Sequence, residues 1–453
     1  MNAKIENQRM LASLVGINED EAAKRLEVAV KITYSSPAQP LGDELREQLE
    51  RTVQIAGSGG RVDLEVVLDC SPAEGKYPRI FVGGTPDYLL VSRSPVQFEP
   101  NTLPNLPGLI RSIAACYVCS VALRLVLGAS QLAKDYDPFK VEYANLGLDR
   151  ALLEQPIRLS ETVLAGAGAI GNGFLRALRH FRVEGTLWVA DPKIVGEGNL
   201  NRCLYYEPND IRKLKAPTLC SKAQPDFPAL KLEPFEGTST DLVKKEGRIR
   251  RVIVAVDSRK TRRSIQSDLH LEVVDSSTTE AKEIIIHSHR QPTENACLGC
   301  IYKHIPDEQA RAKDIAAGLG IDLADVADDR ISLAVAERIV RSHPQLDVNT
   351  ITGMAYDSLF KNLCGEQALL TPTGAQILAP FAFVSNLAGA FLALELARSL
   401  HGRAGDSNYM SISPWYPPHP KLRRIRSRDA ECEYCDKPEF AGALKLVWPE
   451  TFH

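Results

Sequence analysis

Apolar residues between positions 1 and 45 recur at three- and four-residue spacing, around Leu11, Leu14, Val15, Ala22 and Leu26, and this period predicts helix. The period then shortens. The runs R-T-V-Q-I-A at 51–56, V-D-L-E-V-V-L-D at 62–69 and R-I-F-V at 79–82 read as strands. Residues 108–127 are apolar all round and rich in alanine, the pattern of a helix buried on every side. A second segment of the same kind spans 378–402. Each is followed by an aromatic strand, V-E-Y-A-N-L at 141–146 and N-Y-M-S-I at 408–412. This pairing is a weak internal repeat. Either the first half is a degenerate copy of the second, or it is an unrelated α+β domain that recognises a substrate.

The middle of the chain carries a different pattern. From 303 to 363 the periodicity is helical but polar, with Q-A-R-A-K-D-I-A-A-G-L-G at 309–320 and I-S-L-A-V-A-E-R-I-V-R at 331–341, which predicts an inserted helical subdomain. It has the outline of a helix-turn-helix, but the acidic stretch D-L-A-D-V-A-D-D would repel a phosphate backbone. Residues 414–420, P-W-Y-P-P-H-P, read as a rigid extended connector, and K-L-R-R-I-R-S-R at 421–428 reads as a solvated basic face.

Chemistry concentrates between 164 and 202. L-A-G-A-G-A-I-G-N-G-F-L-R-A-L-R is a strand, a glycine turn and a helix, and T-L-W-V-A-D-P-K-I-V-G-E-G-N-L-N-R is a strand ending in an acid and then a polar loop. Gly166, Gly168 and Gly171 let the backbone turn tightly and approach a phosphate at the helix N-terminus. Asp191 follows Gly171 by twenty residues, where a strand-end acid can bond ribose hydroxyls. Asn199 and Arg202 add an amide and a guanidinium beside the phosphates, donors that hydride transfer does not need. The corresponding turn of the first half would be A-G-S-G-G at 56–60, but a strand rather than a helix follows it, so no nucleotide is expected there.

Composition narrows the class. A chain of 453 residues supports two to four domains, and a net charge of −3 gives no sign of a general nucleic-acid or membrane binder. No apolar run is expected to span a bilayer, and M-N-A-K-I-E-N-Q-R-M lacks the apolar core of a signal peptide, so a cytoplasmic setting with ATP at hand is expected. Ten cysteines in that setting read as thiols and metal ligands rather than disulfides.

The ordered motifs D-P-K-I-V-G-E-G-N-L-N-R-C at 191–203, D-I-R-K-L-K-A at 210–216 and V-I-V-A-V-D-S-R-K-T-R at 252–262, behind the glycine turn, resemble the ThiF/MoeB superfamily of adenylating enzymes, which includes ubiquitin-activating enzymes. The resemblance covers about 151–300 and 365–453. It implies an α/β fold. A Rossmann-like adenylation domain with a mixed sheet (151–302) would follow a smaller α/β domain (1–150), itself an inactive adenylation-like repeat if the internal pairing is real. A helical insert and crossover region (303–370) would precede a segment that completes the adenylation domain and carries a zinc knuckle (371–453). It implies ATP and Mg²⁺: Asn199, Arg202 and Lys215 around the triphosphate, with Lys213 a close competitor for Lys215, and Asp257 holding the metal ion. Three departures stand out, since Lys193, Gly198 and Cys203 replace the acid, serine and glutamine of the pattern. The early R-Y-x-R-Q segment is absent, so no arginine finger can be named.

Cys297-Leu-Gly-Cys300 and Cys432-Glu-Tyr-Cys435 are two C-x-x-C pairs that together suit one tetrahedral Zn²⁺. Cys116 and Cys119 have the same spacing inside an apolar helix and read as core. In shorter relatives a transfer cysteine stands just ahead of the final apolar helix, but T-P-T-G occupies 371–374 here. Cys364 upstream is the favoured nucleophile, with Cys203 and Cys220 as alternatives, and with no thioester at all as another. The resemblance thus implies adenylation of the C-terminal glycine of a small ubiquitin-like protein, transfer to a conjugating enzyme, and dimerisation through the adenylation domain. The shape is that of bacterial ubiquitin-like conjugation systems, a defence setting. The alternatives are adenylation of a short peptide, as in microcin-type enzymes with an N-terminal peptide clamp, activation of a sulfur carrier, and a nucleotide-binding pseudoenzyme scaffold.

Overall fold

A computed structural model describes residues 3–451 apart from 58, 71–75, 96–102, 104, 130–131, 133, 280, 304–306, 328–330, 353–355, 357–358, 361–362, 364–380 and 403–405. The chain forms two compact units, one of residues 303–377 and one of nearly all the rest. The larger unit holds two sheets. The first contains β1 (Ala29–Tyr34), β2 (Gln54–Ile55), β3 (Leu64–Leu68), β4 (Arg79–Thr85), β5 (Tyr88–Ser92) and β6 (Phe139–Glu142) in the order β2-β1-β3-β4-β5-β6. The second contains β7 (Ile157–Leu159), β8 (Thr162–Ala165), β9 (Val183–Ala190), β10 (Leu230–Phe235), β11 (Arg251–Val254), β12 (Glu272–Thr279), β13 (Glu283–Arg290), β14 (Tyr409–Ile412) and β15 (Arg423–Arg424). Its order is β10-β9-β8-β11-β12-β13-β14-β15, with β7 also pairing β9.

The longer helices of this unit include α1 (Ala3–Val15), α2 (Glu19–Leu26), α3 (Gln39–Leu49), α4 (Gly108–Val126), α5 (Ala169–Leu178), α6 (Lys215–Ala223), α7 (Ser239–Glu246) and α8 (Arg259–Ser267). In the smaller unit lie α9 (Asp307–Leu319) and α10 (Leu333–Ser342), and the larger one ends with α11 (Ala382–Leu400) and α12 (Pro438–Val447). The smaller unit closes its own core over Leu319, Ile331, Val335, Ala336 and Ile339, as the helical period of its sequence requires.

The two sheets share one connectivity. In the first, β2-β1-β3-β4 are parallel and β5 and β6 antiparallel; in the second, β9-β8-β11-β12 are parallel and β13 and β14 antiparallel. Helix α3 links β1 to β2 as α5 links β8 to β9, and α4 precedes β6 as α11 precedes β14. By this correspondence the counterpart of the glycine turn is the Ser35–Ala38 segment after β1, not A-G-S-G-G at 56–60, which follows β2. A-V-K-I-T-Y lies inside a stretch whose average period is helical, and that average masks the strand β1. Residues 143–146 form a 3-10 turn rather than the end of a strand.

Helices α4 and α11 fill the centre. By length and hydropathy alone both would cross a membrane, against the sequence expectation, but 83% and 89% of their apolar windows are buried against the rest of the unit. Helix α11 crosses α5 so closely that a Cβ on Gly389 would lie 2.2 Å from the Gly173 carbonyl carbon. Cys116 and Cys119 are buried in α4 as expected, Cys116 donating to Gln48 Oε1 at 3.4 Å. The 414–420 connector is anchored as well as extended, since Trp415 is 2% exposed and its Nε1 donates to Ala281 O at 2.7 Å.

Candidate functional site

The strand order β9-β8-β11 sets three strand ends side by side, and the loops after them carry Asp191, the glycine turn and Asp257. Gly166 has φ +107°, and a Cβ there would lie 2.8 Å from Ala255 O, so only glycine lets β8 turn into α5 against the neighbouring strand. A Cβ on Gly171 would lie 2.1 Å from Gly166 O, whereas Gly168, the residue that caps α5, faces open space. The turn therefore presents the N-terminus of α5 without a side chain in front of it.

Polar side chains lock this turn. Asp191 is 6% exposed; its Oδ2 accepts from Ala167 N and its Oδ1 from Lys193 N, both at 2.8 Å. Asn172 donates to Ala167 O at 3.2 Å and Gly168 O at 2.9 Å, while its Oδ1 accepts from Tyr205 N at 3.2 Å. The Tyr206 hydroxyl donates to Ala167 O at 2.7 Å and lies 3.2 Å from Lys215 O. Asn172 and Tyr206 were not singled out from sequence. Their signal was faint: a polar residue in the first turn of a helix, and a tyrosine pair just beyond the N-L-N-R loop.

Around the turn stand the expected charges. Asn199 Oδ1 accepts from Gly196 N at 3.0 Å and so shapes its own loop. Arg202 Nη1 donates to Gly198 O at 2.6 Å and to Asn201 Oδ1 at 2.8 Å. Lys215 opens α6 and is 8% exposed, and its backbone N donates to Lys193 O at 2.9 Å, whereas Lys213 is turned aside to Asp210 at 3.0 Å. Asp257 lies beyond β11, 61% exposed, with Lys193 Nζ 3.3 Å away. The lysine that replaces an acid of the first motif thus sits against Asp257, the acid of a later one. Of the three cations Lys193, Arg202 and Lys215, Lys193 meets Asp257 directly, Arg202 is held to its own loop, and Lys215 is tied through its backbone to Lys193 O. Behind Asp257, Arg262 is 2% exposed, pairs with the fully buried Asp275 and donates to Val256 O and, at 2.9 Å, to Ser276 O.

The N-terminal sheet's side of the unit reaches this loop. Arg51 donates to Leu200 O at 2.7 Å, Leu204 O at 3.3 Å and Tyr206 O at 3.4 Å. Nothing in the local sequence at 51 marks this residue, because the contact spans 149 positions.

Cys364 lies outside the described residues. Cys203 is fully buried and burial raises its thiol pKa; Cys220 is 4% exposed and burial pushes it up to about 12. Neither presents a ready thiolate.

The four knuckle cysteines converge. Their sulfurs all lie within 4.8 Å of one another, with Cys297–Cys300 at 3.8 Å, Cys297–Cys432 at 3.6 Å and Cys300–Cys435 at 3.5 Å. A tetrahedron of thiolates about 2.3 Å from a central ion has edges of about 3.8 Å, so the donor set fits a soft tetrahedral metal ion. The Asp429 N–H points at Cys300 Sγ at 3.4 Å, the kind of backbone donor that steadies a metal thiolate.

Sequence comparisons agree with this layout. The E1 N-terminal domain pattern matches residues 1–149 and the ThiF family pattern residues 139–434. A protein of Sinorhizobium fredii (strain NBRC 101917 / NGR234) designated y4jF is 25% identical over 378 residues, covering 80% of this chain and 72% of that protein. Among solved structures, E. coli MccB with MccA-N7isoAsn shares 12% identity at a TM-score of 0.40, covering 79% of this chain and 99% of that one. PaaA shares 13% identity at 0.34, covering 69% and 71%. With the family pattern spanning well over half of its length, the chain belongs to the ThiF family of ATP-dependent adenylating enzymes.

Proposed function

We propose that the chain adenylates the C-terminal glycine carboxylate of a small ubiquitin-like protein. The observation that carries this is the open N-terminus of α5, presented by the glycine turn between the strand ends that carry Asp191 and Asp257, on a chain whose first third matches the E1 N-terminal domain. The glycine turn and α5 would receive the triphosphate, and Asp191 would meet the ribose with lone pairs not used by Ala167 and Lys193. A carboxylate oxygen attacks the α-phosphorus, the bond from that phosphorus to the bridging oxygen breaks, and pyrophosphate leaves. Arg202 and Lys215 would offset the charge that grows on the phosphate oxygens. Mg²⁺, bound through Asp257, would neutralise the leaving pyrophosphate. The four knuckle cysteines would hold Zn²⁺ as a structural ion.

A thioester step would use Cys364, whose thiolate would attack the acyl carbon and release AMP before transfer to a conjugating enzyme. The burial of Cys203 and Cys220 favours a second reading in which the reaction stops at the adenylate, as it would for a peptide acceptor. Domain limits near 150, 302 and 370, and dimerisation through the adenylation domain, belong to the same proposal. ATP–pyrophosphate exchange tests it. Exchange that depends on one Gly-terminated small protein and disappears in Asp257→Ala supports the reading. Exchange with short peptides alone overturns the ubiquitin-like acceptor. Retention of the acyl group in Cys364→Ala overturns the thioester assignment.

A further inference from the structure

A hydrogen-bond relay runs from α1 to Arg202. Asn7 on α1 donates from Nδ2 to Arg51 O at 2.7 Å. Asn7 Oδ1 accepts from Asn201 Nδ2 at 3.0 Å, and Asn201 Oδ1 accepts from Arg202 Nη1 at 2.8 Å. Asn7 is 4% exposed and Asn201 is 1% exposed, so water does not compete for these bonds.

The chemistry of the ends fixes the sense of both amides. A backbone carbonyl only accepts and a guanidinium only donates. Asn7 must therefore turn its NH₂ to Arg51 and its oxygen to Asn201, which leaves the oxygen of Asn201 for Arg202. Neither amide can flip without placing two donors or two acceptors face to face. Arg51 closes the circuit, because its guanidinium holds Leu200 O, one residue before Asn201. On Arg202, Nη1 is used by Gly198 O and Asn201 Oδ1, which orients the guanidinium while Nε and Nη2 make no bond to the described residues.

We propose that Asn7 and Asn201 are positioning residues for Arg202, so that α1 forms part of the triphosphate site although it lies at the far end of the sequence. The proposal rests on the reading of Arg202 as a phosphate ligand. It makes α1 the element through which the N-terminal region sets nucleotide affinity, and it gives the second asparagine of N-L-N-R a role distinct from that of Asn199.

The test is ATP and adenosine binding by the full-length protein, measured by calorimetry for the wild type, Asn7→Ala, Asn201→Ala, Arg202→Ala and the two double variants. Asn201→Ala removes a bond to the Arg202 guanidinium and should weaken ATP binding about tenfold, and Asn7→Ala, which removes the amide that orients Asn201, should weaken it in the same direction by a smaller factor. Adenosine binding should stay unchanged, and neither substitution should add to Arg202→Ala by more than about twofold. A merely structural role would weaken ATP and adenosine alike and would add fully to Arg202→Ala, and that result overturns the relay. If Arg202→Ala itself leaves ATP affinity unchanged, the phosphate reading of Arg202 fails. If Arg202→Ala weakens binding and the asparagine variants do not, the relay alone fails. Asn7→Ser, which keeps a small polar side chain, replaces Asn7→Ala in the cycle should that variant not fold.

Discussion

Two residues show what local sequence conveys and what it leaves out. Lys193 stands where the motif has an acid, and in isolation that reads as decay. The structure sets its ammonium against Asp257, an exposed pair of modest worth that a divalent cation or a phosphate could exchange. Replacing Lys193 with Met should release Asp257 and lower the Mg²⁺ concentration at which nucleotide binding is half-maximal, roughly tenfold for a unit charge removed at this range. A titration of ATP binding against Mg²⁺ reads that shift, and an unchanged midpoint would show that the pair does not gate the metal. Arg262 belongs to the opposite class. It was visible only as a trailing motif letter, yet it is the buried partner of Asp275 and holds the carbonyl of Val256 beside Asp257. Arg262→Ala leaves the buried Asp275 carboxylate without its cation, with the Tyr302 hydroxyl still donating to it, and should cost about 3–5 kcal/mol in chemical denaturation. The glycines, Asp191, Arg202 and the cysteine pairs were legible because each motif is contiguous. Asn7, Arg51 and Tyr206 were not, because their roles depend on partners that the fold supplies.

Elements were legible where their period was long and pure. Both apolar helices and most parallel strands were read to within a few residues. β1 was missed because it is a six-residue strand between helices, and a window long enough to see a helical period averages it away. Its loss also misplaced the counterpart of the glycine turn by about one strand. Packing between elements supplies two further tests. At the crossing of α5 and α11, Gly389→Ala would drive a methyl group into the Gly173 backbone and should destabilise by about 1–3 kcal/mol. At the contact of α3 with α5, Glu44 is buried beside Arg176 and Arg179. Burial works to raise its pKa, but the two guanidiniums hold it below the usual 4.5. As pH falls the unfolded chain takes up this proton first, so the stability from Glu44 is complete above about pH 4.5 and lost as pH drops through the folded value. Glu44→Gln should therefore flatten the acid limb of a stability profile below pH 4.5. His270, fully buried, is pushed down to about 4 by desolvation, so its contribution is lost between pH 6.5 and 4 and should persist in Glu44→Gln.

For the whole molecule, the knuckle is the longest-range closure that sequence could foresee. Cys297 and Cys432 are separated by 135 positions, and the bridge between Asn295 and Ser427 joins the same two segments. If the four cysteines hold zinc as proposed, a chelator should release one metal equivalent per chain and lower the unfolding temperature. Absence of stoichiometric metal from protein purified under reducing conditions would overturn that assignment. The E1-like N-terminal region and the ThiF region are also joined by side chains, since Arg51 and Asn7 enter the second region's loop.

The shared connectivity of the two sheets has a consequence for synthesis on the ribosome. The first sheet draws all its strands from residues 29–142, so it can close early in translation. The second lacks β14 until residue 412 has emerged, because α9 and α10 are made in between. During that interval α4 has no α11 to cover it, although it is the more hydrophobic of the two long helices. The nascent chain must therefore carry an open apolar surface through the synthesis of the 255 residues between Val126 and Ala382, a window in which a chaperone would bind and premature termination would leave an aggregating fragment.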